Sequence, residues 1–378
     1  MDQKSKVILL PCENYEEELV YMQMKKGLSL LGGLSSFVGK EEKILLKPNL
    51  LKRAEVEKAV ITHPVVMGAL ARILREEGFV HVRMGDSCGL GQTGKVIAGT
   101  GMDAYMEQYQ IPAVDFTEGK RADYPDGKKA REFMLAREVC EADAIINVCK
   151  MKTHALERIT GAVKNMYGCV WGLHKAKGHT LYPSADSFAR MLVDLNLFLR
   201  PRLYLMDGIM AMEGNGPGSG DPVPMKVLLM SQDPVALDTV FCHLIHLKPE
   251  LVPTNYHGEK MGLGVMQTEQ IELYCGTERI SLEEAVSRFG REDFAVDRRK
   301  GSGGWKRFAR FFNLFQKKPY IDEKLCVRCG ICVESCPVDG KAVRFANGKT
   351  QVPVYDYRKC IRCFCCQEMC PRKAIKVK

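Results

Sequence analysis

No run in this 378-residue chain approaches the roughly 18 consecutive apolar residues that a membrane-spanning helix requires. Its opening, MDQKSKVILLPCENYEEE, turns polar after one short apolar stretch and shows no leader-like hydrophobic region. A cytoplasmic setting is therefore expected, in which thiols stay reduced and free to ligate metal. No recognised nucleic-acid-binding module is present, so no nucleic-acid partner is expected. No flavin motif is visible either, although a flavin is compatible with chemistry in which single electrons must be gathered in pairs. Acidic residues are scarce in one region only. Residues 297–378 carry 20 Lys+Arg against 7 Asp+Glu, while residues 1–296 carry 35 against 39.

Cysteine, by contrast, is abundant, with 16 in the chain. Eight fall in two matched runs, Cys326-Val-Arg-Cys329-Gly-Ile-Cys332-Val-Glu-Ser-Cys336-Pro337 and Cys360-Ile-Arg-Cys363-Phe-Cys-Cys366-Gln-Glu-Met-Cys370-Pro371. This doubled C-x₂-C-x₂-C-x₃-C-P spacing is the bacterial-ferredoxin signature for two [4Fe–4S] clusters. A cubane needs four thiolates at tetrahedral corners. One tight loop supplies three of them, and the fourth comes from the other run. The expected ligand sets are thus Cys326, Cys329, Cys332 with Cys370, and Cys360, Cys363, Cys366 with Cys336. Zinc sites do not use a triple spacing closed by Cys-Pro. Such clusters imply electron transfer and suggest an anaerobic or oxygen-poor host. The basic tail suits docking to an acidic redox partner protein; alternatively its charge only offsets the clusters and keeps the tail soluble.

The length allows about two domains. Apolar, β-branched runs at Lys6–Pro11, Lys43–Lys47, Val80–Met84, Ala144–Val148, Arg202–Met206 and Met225–Met230 read as buried strands, with helical stretches such as His63–Glu77 and Ser184–Leu199 between them. That alternation predicts an α/β fold over residues 1–296, a mostly parallel sheet with helices on both faces. A basic amphipathic linker over 297–318 and a small C-terminal α+β bacterial-ferredoxin-like domain over 319–378 follow. In the linker, Trp305, Phe308, Phe312 and Phe315 share one helical face. Packing of that stripe on a neighbouring domain is expected ahead of peripheral membrane contact. Asn347-Gly348 reads as a hairpin turn in an insert between the cysteine runs.

Polar clusters follow the proposed strands, where open α/β sheets bind ligands. They are Lys47-Pro-Asn49, Gly85-Asp86-Ser87-Cys88-Gly89, Lys150-Met-Lys152-Thr153-His154, Thr160 to Gly168, Asp207-Gly with Glu213-Gly-Asn215-Gly-Pro217, and Asp233 to Asp238. Lys47, Lys152 and Lys164 would form a positive focus for a small anionic substrate, with Asn49, Asn165 and Ser87 as neutral donors. Asp86, within the same ring, and Asp207, Glu213 and Asp238 supply counter-charge. The competing reading is that each Lys–Asp pair only ties loops together. His154 and Glu213 are the candidate catalytic proton carriers.

Two weaker patterns sit nearby. Gly89-Leu-Gly91-Gln-Thr-Gly94, with Asp115 farther on, approaches the dinucleotide-binding pattern. Asp86 and Ser87 interrupt its strand-to-glycine junction, however, and Gly99 and Gly101 weaken the helix after it. Cys169, His174 and His179 are evenly spaced in a polar loop but lack helical or zinc-finger spacing. Cys88 and Cys149 read as small buried residues rather than reactive thiols.

The segments KMKTH, TGAVKNMYG, DGIMAMEGNGPGSG and DPVALD resemble the domain of unknown function 362 family, and the resemblance covers nearly the whole chain. That family is often fused to a ferredoxin-type tail, so the resemblance implies the two-part architecture while bringing little function with it. Cys88 departs from it, standing where Pro or another small residue is expected in the Gly-Asp-Ser motif. The expected function is an iron–sulfur oxidoreductase, in which a low-potential donor supplies electrons through the tail to an anionic ligand in the α/β domain. A non-enzymatic electron carrier and a metalloprotein maturation factor are the alternatives.

Overall fold

The computed structural model describes residues 4–89, 91–299 and 317–378. Its centre is one large sheet of β1 (Ser5–Pro11), β2 (Ile44–Pro48), β3 (Val82–Asp86), β4 (Ala113–Asp115), β5 (Ala144–His154), β6 (Leu203–Glu213), β7 (Asp221–Ser231), β8 (Ile271–Cys275) and β9 (Glu278–Ile280). The spatial order is β9-β8-β1-β7-β6-β5-β2-β3-β4. The β6–β5–β2–β3–β4 block is parallel throughout. On its other side β7 runs antiparallel to both β6 and β1.

Alternating side chains of these strands enter opposite cores. Ile44 and Leu46 pack with α1 (Glu17–Leu30) and α2 (Pro64–Glu76) on one face. Leu45 and Ile145 point the other way, toward the helix Ala185–Leu199. Burial on both faces is why these strands read as continuous apolar runs rather than alternating ones. On that second face, after the short α3 (Gly161–Asn165) and α4 (Gly172–Leu181), come α5 (Ala185–Leu199) and α6 (Pro234–Leu244). Asp233 starts α6 by accepting the Val235 and Ala236 N–H groups at 2.8 and 2.9 Å, with Pro234 in the first turn.

Strands β5 and β6 outrun the apolar segments that announced them. Each has eleven residues, and every residue of β5 is buried, including Asn147, Lys150, Lys152 and His154. The polar residues after Val148 therefore extend the strand instead of ending it, because each finds a partner in the fold. Lys150 and Asp207 face each other as register partners across β5 and β6.

The α/β domain also continues past Val296. The Arg298 guanidinium donates to the carbonyls of His246, Ile245, Glu292 and Phe294, which fastens the chain as far as Arg299. The Trp305–Phe315 stripe lies outside the described residues. In the tail, Pro319–Ile321 pairs antiparallel with Ile375–Val377, closing the domain on itself. Val343–Arg344 and Val354–Tyr355 pair across the insert that carries Asn347-Gly348. The helix α7 (Cys365–Met369) faces the carboxyl ends of the parallel strands. Among the described residues no helix is long and apolar enough to cross a membrane.

Candidate functional site

Two small cavities in the tail are walled by cysteines drawn from both runs. One, about 20 Å³, is lined by Cys326, Cys329, Cys332 and Cys370 together with Ile321 and Val327. The other, also about 20 Å³, is lined by Cys360, Cys363, Cys366 and Cys336 with Val338 and Tyr355. The two loops share a backbone shape. Arg328 and Arg362, at matching places, both have φ of 58°, and each is followed two residues later by a second left-handed residue, Gly330 or Phe364. These bends turn successive thiols inward. Three donors reach sulfur: Ala342 N–H to Cys336 Sγ at 3.3 Å, Ala374 N–H to Cys370 Sγ at 3.3 Å, and Tyr355 OH to Cys366 Sγ at 3.2 Å. Four thiols around each apolar hollow, with N–H and O–H donors to sulfur, are a donor set that suits [4Fe–4S] clusters.

A buried polar network occupies the strand ends. Lys152 Nζ donates to Asn49 Oδ1 at 2.6 Å and to Val60 O at 2.8 Å. Asn49 Nδ2 donates to Asn165 Oδ1 at 2.8 Å, and Asn165 Nδ2 to Asn147 Oδ1 at 2.7 Å. Lys47 and Asp86 form an ion pair at 3.1 Å, with Lys47 Nζ also donating to Pro48 O. Gly168 lies against this pair: a Cβ there would sit 2.0 Å from Asp86 Oδ1 and 2.6 Å from Lys47 Nζ. Only glycine lets the TGAVKNMYG backbone approach so closely, and Ser87 N–H donates to its carbonyl at 2.9 Å.

A second constellation is adjacent. Lys150 Nζ reaches Asp207 at 2.6 Å and Tyr15 OH at 2.9 Å, while Tyr15 OH donates to the other Asp207 oxygen at 2.8 Å. Tyr15 also stacks on His63 at 3.5 Å.

The tail enters this region through α7. Gln367 Nε2 donates to Asn215 O, Asn215 Oδ1 and Gly216 O. Lys52 Nζ donates to Glu368 O at 2.9 Å and Cys370 O at 3.2 Å. Glu368 itself, between Cys366 and Cys370, comes within 2.8 Å of His154 Nε2, although off the line of a full hydrogen bond. His154 Nδ1 accepts the Leu156 and Glu157 N–H groups, which leaves the ring proton on Nε2, facing Glu368.

Electrostatics follow from burial with few counter-charges. Burial, then the like charge of Lys164, holds the Lys152 amine well below its ordinary range. Burial and Lys164 likewise lower His154 to about 4, against the pull of Glu368. Burial pushes the Glu157 carboxyl up to about 8, and neither of its oxygens has a hydrogen-bond partner among the described residues. For Glu368, burial acts upward, but His154 and Lys164 hold it well below the usual carboxylate range.

Most of the expected residues are therefore gathered, though in three different roles. Lys152, Asn49 and Asn165 form one chain of hydrogen bonds. Lys47 and Asp86 neutralise each other. His154 and Lys164 act electrostatically on the carboxylate of α7. Glu213 stands apart from them in its bonding, since its Oε2 accepts the Ala295 N–H at 2.8 Å. Asp238 is a structural cap, accepting the Ala162 and Val163 N–H groups at 2.6 and 3.1 Å. Tyr15, Asn147, Lys150, Glu157 and Glu368 were not singled out as site residues from sequence. The polar positions inside an otherwise apolar β5 were the available signal for Asn147 and Lys150.

The glycine-rich loop is tied down by its own acidic residue, Asp115 Oδ1 accepting the Gly94 N–H at 3.0 Å. His179 is buried and stacks on Phe188, and outside the two cysteine hollows no three His, Cys, Asp or Glu side chains gather around a metal ion among the described residues. Burial pushes the Cys149 thiol far up and Cys169 up to about 12, which suits inert core residues.

Between the two domains opens a cavity of about 550 Å³. His154 and Thr153 form part of its wall, and among the described residues Arg158, Arg299, Lys317, Lys373 and Lys376 line it with two carboxylates, Asp221 and Asp297. Asp297 pairs with Arg158, Arg299 and Lys317, and Asp221 with Lys373, while Lys376 pairs with Asp322 beside the cavity.

Fold and cysteine geometry together define an iron–sulfur protein in which a ferredoxin-type tail is docked on an α/β domain. The family model for a domain of unknown function (DUF362) matches residues 44–243, and one for a 4Fe-4S dicluster domain matches residues 318–371. The chain belongs to the DUF362 family. A thylakoid-associated protein of Synechocystis sp. is 36% identical over 264 residues, spanning 70% of this chain and 81% of its own length. The structure of the lactate racemase apoprotein from Thermoanaerobacterium thermosaccharolyticum overlaps at a TM-score of 0.39 and 10% identity. That overlap covers 60% of this chain and 54% of that one.

Proposed function

We propose that the protein is an iron–sulfur oxidoreductase that brings electrons through its tail to an anionic ligand in the cavity between the domains. Cys326, Cys329, Cys332 and Cys370 would hold one [4Fe–4S] cluster, and Cys360, Cys363, Cys366 and Cys336 the other. The clusters would supply single electrons to the reaction. The observation that carries this reading is the seating of α7. The segment joining Cys366 to Cys370 touches His154, and His154 also walls a basic cavity at the strand ends.

The chain's own residues then have distinct tasks. Arg158, Lys373 and Lys376 attract and orient the anion. Gln367 and Lys52 fix the tail so that the cysteine loop keeps its place. Glu157, whose backbone N–H donates to His154 Nδ1, keeps its proton at neutral pH, while the His154 ring is neutral there and carries its proton on Nε2. Proton delivery is assigned to His154 in preference to Glu213, which is engaged with the Ala295 backbone.

The test begins with an anaerobic reductive titration of the iron-loaded chain, which should take up about two electrons, one per cluster. Equilibrium dialysis with phosphate and small carboxylates should then find an anion whose binding Lys376→Ala and Arg158→Ala weaken roughly tenfold while the iron content stays unchanged. If two electrons are taken up but no anion binds, the enzyme reading falls and a carrier remains.

A further inference from the structure

The two cysteine-lined hollows differ in what covers them. Cys363, Phe364, Cys365 and Cys366 are all under a tenth exposed, and α7 beside them is held by Asn215, Gly216 and Lys52 of the α/β domain. On the other side Cys329 is exposed, and it is flanked by Val327, which is 55% exposed, and Leu325, at 41%. Val327 and Pro353 wall the same hollow, and the neighbouring Val354 is 47% exposed, so the apolar surface continues onto the insert. Around it stand Lys324, Arg328, Arg344 and Lys349, all exposed, against the exposed Glu323 and Glu334, while Asp322 of the same turn is paired with Lys376 at 2.9 Å. Arg328 reaches across to Thr350 O at 2.6 Å, which joins the cysteine loop to the insert as one surface. A small apolar centre with a basic rim is the anatomy of a transient docking face, and its charge selects an acidic partner.

Resting on the reading that both sets of cysteines hold clusters, we infer that electrons enter at the Cys326–Cys332 hollow from an acidic one-electron donor protein docked on the Val327–Val354 face, and leave by the Cys360–Cys366 hollow. In each encounter the donor is oxidised by one electron and this protein is reduced by one. A basic rim speeds such encounters through long-range attraction, an effect that salt screens. An anionic membrane surface would be drawn by the same charge, but it needs neither an exposed cysteine at the centre nor a small apolar patch.

The experiment uses the iron-loaded full chain and an acidic flavodoxin as probe. The oxidised flavodoxin is titrated by calorimetry to read binding, and the reduced form is mixed in stopped flow to read electron transfer. Lys324→Glu/Lys349→Glu should raise the Kd and lower the second-order rate constant, each tenfold or more at low ionic strength, and should flatten the salt dependence. Lys95→Glu/Lys248→Glu makes the same charge change on the α/β domain and should alter either by less than twofold. Reduction by dithionite should be equal in all three proteins. Equal losses for the two double variants, or no loss at the Val327 face, would overturn the inference. So would binding of phosphatidylglycerol vesicles that depends on Lys324 and Lys349 when flavodoxin does not bind. Absence of iron from the wild-type chain would sink the cluster reading and this inference with it, and iron analysis of the same samples separates that failure from the others.

Discussion

At the scale of single residues, the least expected group is Glu157. Its position gives no hint in the sequence, where it reads as one more charge in a polar stretch after β5. Folding buries it completely, its backbone N–H on His154 Nδ1 and its two carboxyl oxygens met by no donor among the described residues. Burial then decides its chemistry: the folded carboxyl keeps its proton up to about pH 8, whereas an ordinary glutamate loses it near 4.5. Between those values the unfolded chain releases a proton that the folded chain retains, so this residue lowers stability progressively as pH rises. Each unit of that window corresponds to about 1.4 kcal/mol at most. Glu157→Gln removes the titration, and its stability relative to wild type should therefore climb between pH 5 and pH 8 by a few kcal/mol in total. Urea unfolding at those two pH values would show it, and a difference that stays flat with pH would refute the assignment.

Elements were more legible than residues. All six strands anticipated from apolar runs are present, and both helices named in advance occur within a residue or so of their expected bounds. The strand ends were not. An apolar-run criterion stops β5 at Val148 and β6 at Met206, where polar residues begin, yet the two strands continue side by side to His154 and Glu213. Pairing explains the continuation, because Lys150 lies opposite Asp207 and each neutralises the other inside the fold. Nothing local to either segment announces a partner 57 positions away. The extension should accordingly depend on that pair. Lys150→Met leaves Asp207 a buried charge with, among the described residues, only Tyr15 and the His63 N–H to meet it, and should cost about 3–5 kcal/mol in denaturant unfolding. Lys150→Met/Asp207→Leu removes both charges and should lose at least about 1 kcal/mol less than the sum of the single variants. Simple additivity would mean that the extension is held by backbone pairing alone.

For the whole molecule, the consequential feature is that two regions readable separately in the sequence are one object in space. The tail's motif concealed its own docking group: Gln367 and Glu368 sit between ligand-type cysteines, where they look like spacers. In the fold Gln367 fastens the tail to Asn215 and Gly216, and Glu368 is the tail's contribution to a network that otherwise contains Lys152, Lys164 and His154 of the α/β domain. A tail this small has little apolar core of its own, and its packed centre includes Cys332, Cys336, Cys366 and Cys370. Metal bound by those thiols would thus contribute directly to its folding. Removing iron by anaerobic chelation should unfold the tail and withdraw Glu368, leaving Lys164 and the His154 ring without the carboxylate that faces them. Hydrogen exchange should then quicken in residues 365–370 and also in 152–157 and 215–216, on the far side of the contact. The central strands β2 and β5 up to Val148 should keep their protection, since their cores lie within the α/β domain. Exchange that rises in the tail alone would show that the two parts touch without sharing stability. In that case the strand-end network would have to be an independent site to which the tail is merely adjacent.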